Sequence, residues 1–177
     1  DFFERKNASN PEELTFLPMT GMYKVTANFK HSYLKIEAMK SATELATLND
    51  DGSGAIWAIG GTEVGKPTLK NAYGWSPEDG GMCLARVADK KYQLTLVAGI
   101  SINASSFDFK FFHQKTWGGE FGGKDISTAS DIVKINDSVN LGLAEGKTLD
   151  LGGIYRFTVD VTGGNTAAVL TVEKVGE

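Results

Sequence analysis

Two glycine-rich stretches hold most of the side chains able to grip a ligand: FDFKFFHQKTWGGEFGG at 107–123 and KNAYGWSPEDGG at 70–81. On a strand, successive side chains alternate faces, so Phe107, Phe109 and Phe111 point one way and Asp108, Lys110 and Phe112 the other. One face is core and the other is free to meet a ligand. The loop at 114–123 then adds Gln114, Trp117 and Phe121 amid four glycines, while the earlier loop sets Tyr73 and Trp75 beside Lys70, Asn71, Glu78 and Asp79. Flat rings flanked by amide, carboxylate and ammonium groups suit a sugar, whose C–H faces stack on aromatic surface and whose hydroxyls need paired donors and acceptors. A ring among glycines has little local packing, so exposure there points to a ligand. The competing reading folds Trp117 back as a plug over the end of the fold and leaves Lys110 a solvated strand lysine. Trp57, in the alternating run AIWAIG, reads as core.

Bond-breaking chemistry has weaker support. Glycoside hydrolysis needs two carboxylates about 5–9 Å apart across a cleft. Glu63, Glu78, Asp79, Glu120 and Asp125 all fall in expected loops, and no spacing singles out a pair. There is no G-x-S-x-G elbow, phosphate loop or H-E-x-x-H, and His113 has only Thr116 as a neighbouring nucleophile in sequence. The single cysteine, Cys83, and two distant histidines, His31 and His113, give neither an internal disulfide nor zinc spacing. The run NDDGSG at 49–54 has the opening of a calcium loop, but Gly60 stands where the twelfth-position glutamate belongs, so it reads as a turn. Asn7, Asn103 and Asn136 head N-x-Ser triplets that carry no information outside a secretory context. The expectation is a binding protein without catalysis, metal or cofactor.

The elements that must position these residues are strands. Of 177 residues 21 are Gly and 4 Pro, and the glycines separate short apolar runs. Period-2 alternation recurs at Tyr23, Val25, Ala27 and Phe29, at Tyr92, Leu94 and Leu96, and at Tyr155, Phe157, Val159 and Val161. Shorter candidates lie at 33–38, 55–59, 82–87 and 167–174, and only 41–48 hints at a helical stripe. Many short strands with turn signals predict an all-β fold, an antiparallel immunoglobulin-like β-sandwich. Eighteen basic against 22 acidic residues, net charge -4, build no stripe for phosphates, which argues against nucleic acid. No stretch approaches the ~18 apolar residues of a membrane span, and a chain opening on Asp reads as processed or truncated.

An internal similarity organises the chain. The segment opening at Asp1 aligns with the one opening at Asp131: Gly21, Tyr23, Lys24 and Thr26 match Gly153, Tyr155, Arg156 and Thr158, and Glu37 matches Glu173. The sequence therefore reads as a hairpin segment at 1–40 resembling the end of a preceding module, a linker at 41–51 and a complete domain at 52–177. Chance likeness between two G-x-Y hairpins is the other reading.

The run FDFKFFHQKTWGG, preceded by AIWAIGG and the YGW loop and followed by GIYRFTVDV, resembles the starch-binding modules of the SusE and SusF outer-membrane lipoproteins of gut Bacteroidetes. It is more distantly similar to the glycogen-binding module of the AMP-activated kinase beta subunit. The likeness covers about 52–177. It implies a sandwich that holds an α-glucan against two aromatics, with Lys110 as the strand lysine, Trp117 as the following aromatic and Trp75 as the earlier one. Glu120 and Phe121 have no counterpart in that motif. The resemblance further implies a noncatalytic module at the cell surface, lipid-anchored to the outer membrane through an anchor outside this chain, with polysaccharide and other outer-membrane uptake proteins as partners. A structural spacer or protein-interaction domain without sugar binding is the alternative.

Overall fold

The computed structural model describes residues 1–4, 9, 14–121 and 125–177. In chain order the strands are β1 (Phe3–Glu4), β2 (Thr15–Phe16), β3 (Met22–Asn28), β4 (Tyr33–Met39), β5 (Trp57–Gly60), β6 (Met82–Cys83), β7 (Ala85–Ala88), β8 (Lys91–Val97), β9 (Phe109–Phe112), β10 (Ile126–Thr128), β11 (Val133–Ile135), β12 (Leu141–Leu143), β13 (Ile154–Asp160) and β14 (Ala168–Gly176). One helical turn, α1 (Pro77–Gly80), precedes β6, with Pro77 at its first position.

The body is an all-β sandwich of two five-stranded sheets, ordered β10-β14-β13-β8-β7 and β11-β12-β9-β5-β6. All pairs within them are antiparallel except β10 with β14 at one edge. Alternation decides what each strand contributes. Tyr92, Leu94 and Leu96 of β8, Tyr155, Phe157 and Val159 of β13, and Phe109 and Phe111 of β9 all turn into one core. Phe157 meets Phe109 edge to face at 5.6 Å and Phe107 at 6.5 Å, which knits the two sheets. Each such ring contributes roughly 1.5–3 kcal/mol by leaving water.

A second apolar cluster lies on the outer face of the β9 sheet, where Trp57, Ile59, Cys83 and Phe112 are covered by Ala46 and Ala55. The intervening segment makes this cover. The stretch 41–48 is not helical: Ser41 Oγ accepts from the amides of Thr43 and Glu44, Met39 bridges Leu45, and Leu48 N donates to His113 O. A serine that captures nearby amides offers the backbone an alternative to helix. The expected linker is thus bonded into the sandwich. Residues 49–54 close as a turn, with Asn49 N on Ser53 O and Ser53 N on Asp51 Oδ1.

The hairpin β3–β4 stands beside this body. Its register repeats that of β13–β14: Lys24 faces Glu37 as Arg156 faces Glu173, and Val25 faces Ile36 as Phe157 faces Val172. It is tied to the body by Ala38 N on Cys83 Sγ, by Met19 N on Arg86 O just before the hairpin, and by an ion pair from Glu37. The first two contacts fall on β6 and β7, each an edge strand of its sheet, and the third reaches Lys115 in the loop after β9.

Candidate functional site

Lys110 and Phe112 face outward from β9, as the alternation requires, and Trp57 and Ile59 lie opposite on β5. Phe112 is fully buried and forms a floor on which Trp117, half exposed, stands edge-on at 5.8 Å. Trp75 packs, partly buried, against the same outer cluster that contains Phe112. Its amide donates to Gly60 O at 2.6 Å, and its φ of 55° follows Gly74 at 59°. A bulky residue held in the left-handed region costs roughly 1–3 kcal/mol and marks a constrained position.

Polar groups surround this surface. The register that pairs Leu141 with Phe109 sets Asn140 beside Lys110. Asn140 Nδ2 donates to Asp108 Oδ2 at 2.8 Å and Asn136 Nδ2 to Asp108 Oδ1 at 3.0 Å, so both carboxylate oxygens are held. Glu120 bridges Phe112 and so shares its face. Donors and acceptors therefore lie along β9, with Trp75 bonded at Gly60 opposite Phe109 and Trp117 standing at the Phe112 end.

The Trp117 loop is braced by three consecutive residues. Gln114 Nε2 donates to Trp117 O at 3.0 Å. Lys115 Nζ donates to Glu37 Oε1 at 2.8 Å, with both side chains under a tenth exposed, and lies 5.7 Å from the Trp57 ring. Thr116 Oγ1 donates to Glu78 Oε1 of α1 at 2.8 Å. Burial raises the Glu37 carboxyl, but the Lys115 hydrogen bond and charge, joined by Lys35 at 3.2 Å, outweigh it and hold the group below its ordinary value.

Of the expected ligand contacts, Trp75, Trp117 and Lys110 each lie on the outer face of the β9 sheet, and Gln114 braces the Trp117 loop. Phe121 does not belong there. It is 1% exposed, its amide donates to Phe111 O, and its ring packs at 4.2 Å against His113. The cause is the pleat: the bridge between Glu120 and Phe112 sends Glu120 outward and the next side chain into the core. His113 is pushed below its usual value by burial. Tyr73 is well exposed but turns elsewhere, lining with Tyr33, Asn71 and Met82 a cleft of about 260 Å³ between the 70–81 loop and β4. Trp57 is fully buried, as expected. The asparagine pair was missed although Asp108 shares the Lys110 face in sequence. The Glu37–Lys115 pair, 78 positions apart, has no local signal.

Fold and surface together define an all-β sandwich protein with an outer sheet face that carries aromatic and polar side chains. Residues 51–162, more than half of the chain and the span that holds this face, match the family described as a domain of unknown function (DUF5121), and the chain belongs to that family. No curated protein and no solved structure matches it. No helix among the described residues is long and apolar enough to cross a membrane.

Proposed function

We propose that this protein is a noncatalytic carbohydrate-binding module whose outer β9 face holds an α-glucan, borne by a surface lipoprotein that helps capture polysaccharide at the outer membrane. The observation that carries the reading is Trp117, half exposed on a buried Phe112 floor and sharing that face with Lys110. A half-exposed indole offers a flat apolar surface to a pyranose, and Lys110 and Glu120 supply the rim. The likeness of FDFKFFHQKTWGG to starch-binding modules gives the glucan class and the cellular setting. Binding rather than hydrolysis is favoured because, of the acids near this face, Glu78 is bonded by Thr116, Asp79 by Ser76 and Asp108 by two asparagines, which leaves Glu120 without an evident second carboxylate to work with. A shallow site of this kind gains only a few kcal/mol, so useful retention depends on several sites acting together.

Affinity electrophoresis through gels containing glycogen, amylopectin or pullulan tests the reading. Wild type should be retarded, and Trp117→Ala should weaken retardation about tenfold, from a stacking loss of roughly 1.5 kcal/mol. Trp75→Ala should weaken it too, with some loss of fold stability because that ring is partly buried. Migration unaffected by every glycan, or retardation indifferent to Trp117, would favour a spacer or protein-contact domain instead.

A further inference from the structure

The β3–β4 hairpin has the construction of a sandwich-closing hairpin with the sandwich missing. Its likeness to β13–β14 extends from sequence to register, and to the turn before each first strand. Gly21 lies against the Tyr23 ring as Gly153 lies against the Tyr155 ring. The Tyr23 hydroxyl donates to Met19 O and the Tyr155 hydroxyl accepts from Asp150 N, each a few residues upstream. What differs is cover. Phe157, Val159 and Leu170 are 0% exposed, because β8 and β10 flank β13 and β14 and the β9 sheet lies across them. Their register equivalents in the hairpin are Val25, Ala27 and Leu34; Val25 is 54% and Leu34 45% exposed, and Phe29, in the turn just past β3, is 91% exposed. Phe16 covers the Tyr23 end at 5.0 Å, and on β4 Ile36 is 5% exposed and Ala38 packs on the Trp57–Cys83 cluster of the body, so the open part of the face is its outer half at Val25, Ala27 and Leu34. Among the described residues no strand pairs with the other edge of β3. An isolated pair of strands is marginal in water, and an open apolar face on one calls for a partner.

We propose that β3–β4 is the closing hairpin of a second β-sandwich, and that its open face takes the body of that sandwich, one built like the part of this chain that precedes β13. The occupant is defined by the repeat: a strand playing the part of β8 beside β3, one playing the part of β10 beside β4, and an aromatic sheet like that of β9 across Val25 and Leu34. The proposal is independent of the glycan reading.

The test fuses a second copy of residues 41–130 ahead of Asp1, since Asp1 aligns with Asp131, and follows backbone amide exchange. A companion fusion carries Val25→Phe with Ala27→Val, which restores the side chains at the Phe157 and Val159 equivalents and guards against a poorly filled core. The 177-residue chain should exchange quickly along β3 relative to β13. In the fusions β3 and β4 should slow by roughly 100-fold or more, together with protection of the added copy. The proposal is overturned if β3 in the 177-residue chain is already as protected as β13, or if neither fusion slows it.

Discussion

Glu37→Gln strands the Lys115 ammonium in a site where its side chain is 8% exposed. Lys35, 36% exposed, can turn to water, whereas Lys115 lies between Glu37 and the Trp57 ring with its stem against Gly81. Removing one member of a buried pair costs about 3–5 kcal/mol. Glutamine keeps an oxygen that accepts from Lys115, which puts the loss near 3 kcal/mol. For a chain of this length ~1 kcal/mol moves Tm by ~2–4 °C, so the midpoint should fall by about 6–12 °C. Lys115→Met should cost less, about 1.5 kcal/mol, because Glu37 retains Lys35 and the methionine still packs on Gly81. The double variant should lose less than the sum of the two. Urea unfolding followed by circular dichroism and by tryptophan fluorescence measures all three, with an unchanged denaturant slope as the control. A Glu37→Gln stability within about 0.5 kcal/mol of wild type, or strictly additive variants, would refute the buried pair as the tie between hairpin and loop.

The same carboxylate sets an acid limit. Its folded value is held below the usual 4.5, so its stabilisation is full above that value and fades as pH falls through the folded one. Wild type should lose its advantage over Glu37→Gln as melting is followed from about pH 5 to pH 3. Phe121→Ala should destabilise by about 3–5 kcal/mol in urea, because the ring is core. Gly54→Ala should cost about 2 kcal/mol or more: its φ is +100° and a Cβ there collides with the Thr47 carbonyl, so a urea midpoint near wild type would contradict the turn.

Local periodicity was enough to read most of the sandwich. Alternation along 107–112, 92–96 and 155–161 names the faces of β9, β8 and β13, because each side chain's direction is fixed by its neighbours on the same strand. The two-faced role of β9, with Phe109 and Phe111 inside and Lys110 outside, follows from that rule alone. The pairing of Lys24 with Glu37 and of Arg156 with Glu173 also stays within single hairpins, where alternation fixes which residues share a face, although the connection of the second hairpin is the longer. Where local rules compete, they stop being informative. Phe121 looks like a loop aromatic among glycines, and only its hydrogen bond to Phe111 across the chain turns it inward. The 41–48 stripe looks helical until Ala46 and Leu48 find Ala38 and His113.

What the sequence determined by itself is therefore which residues share a face within one strand or one hairpin. What only the tertiary structure decided is which faces meet: that Asn136 and Asn140 clasp Asp108 beside Lys110, that Trp75 and Trp117 rest on one apolar cluster, and that Glu37 reaches Lys115. The physical reason is range. Strand alternation is a property of adjacent peptide units, while contacts between distant segments depend on how whole sheets pack to bury their apolar faces, and no short stretch of sequence carries that information.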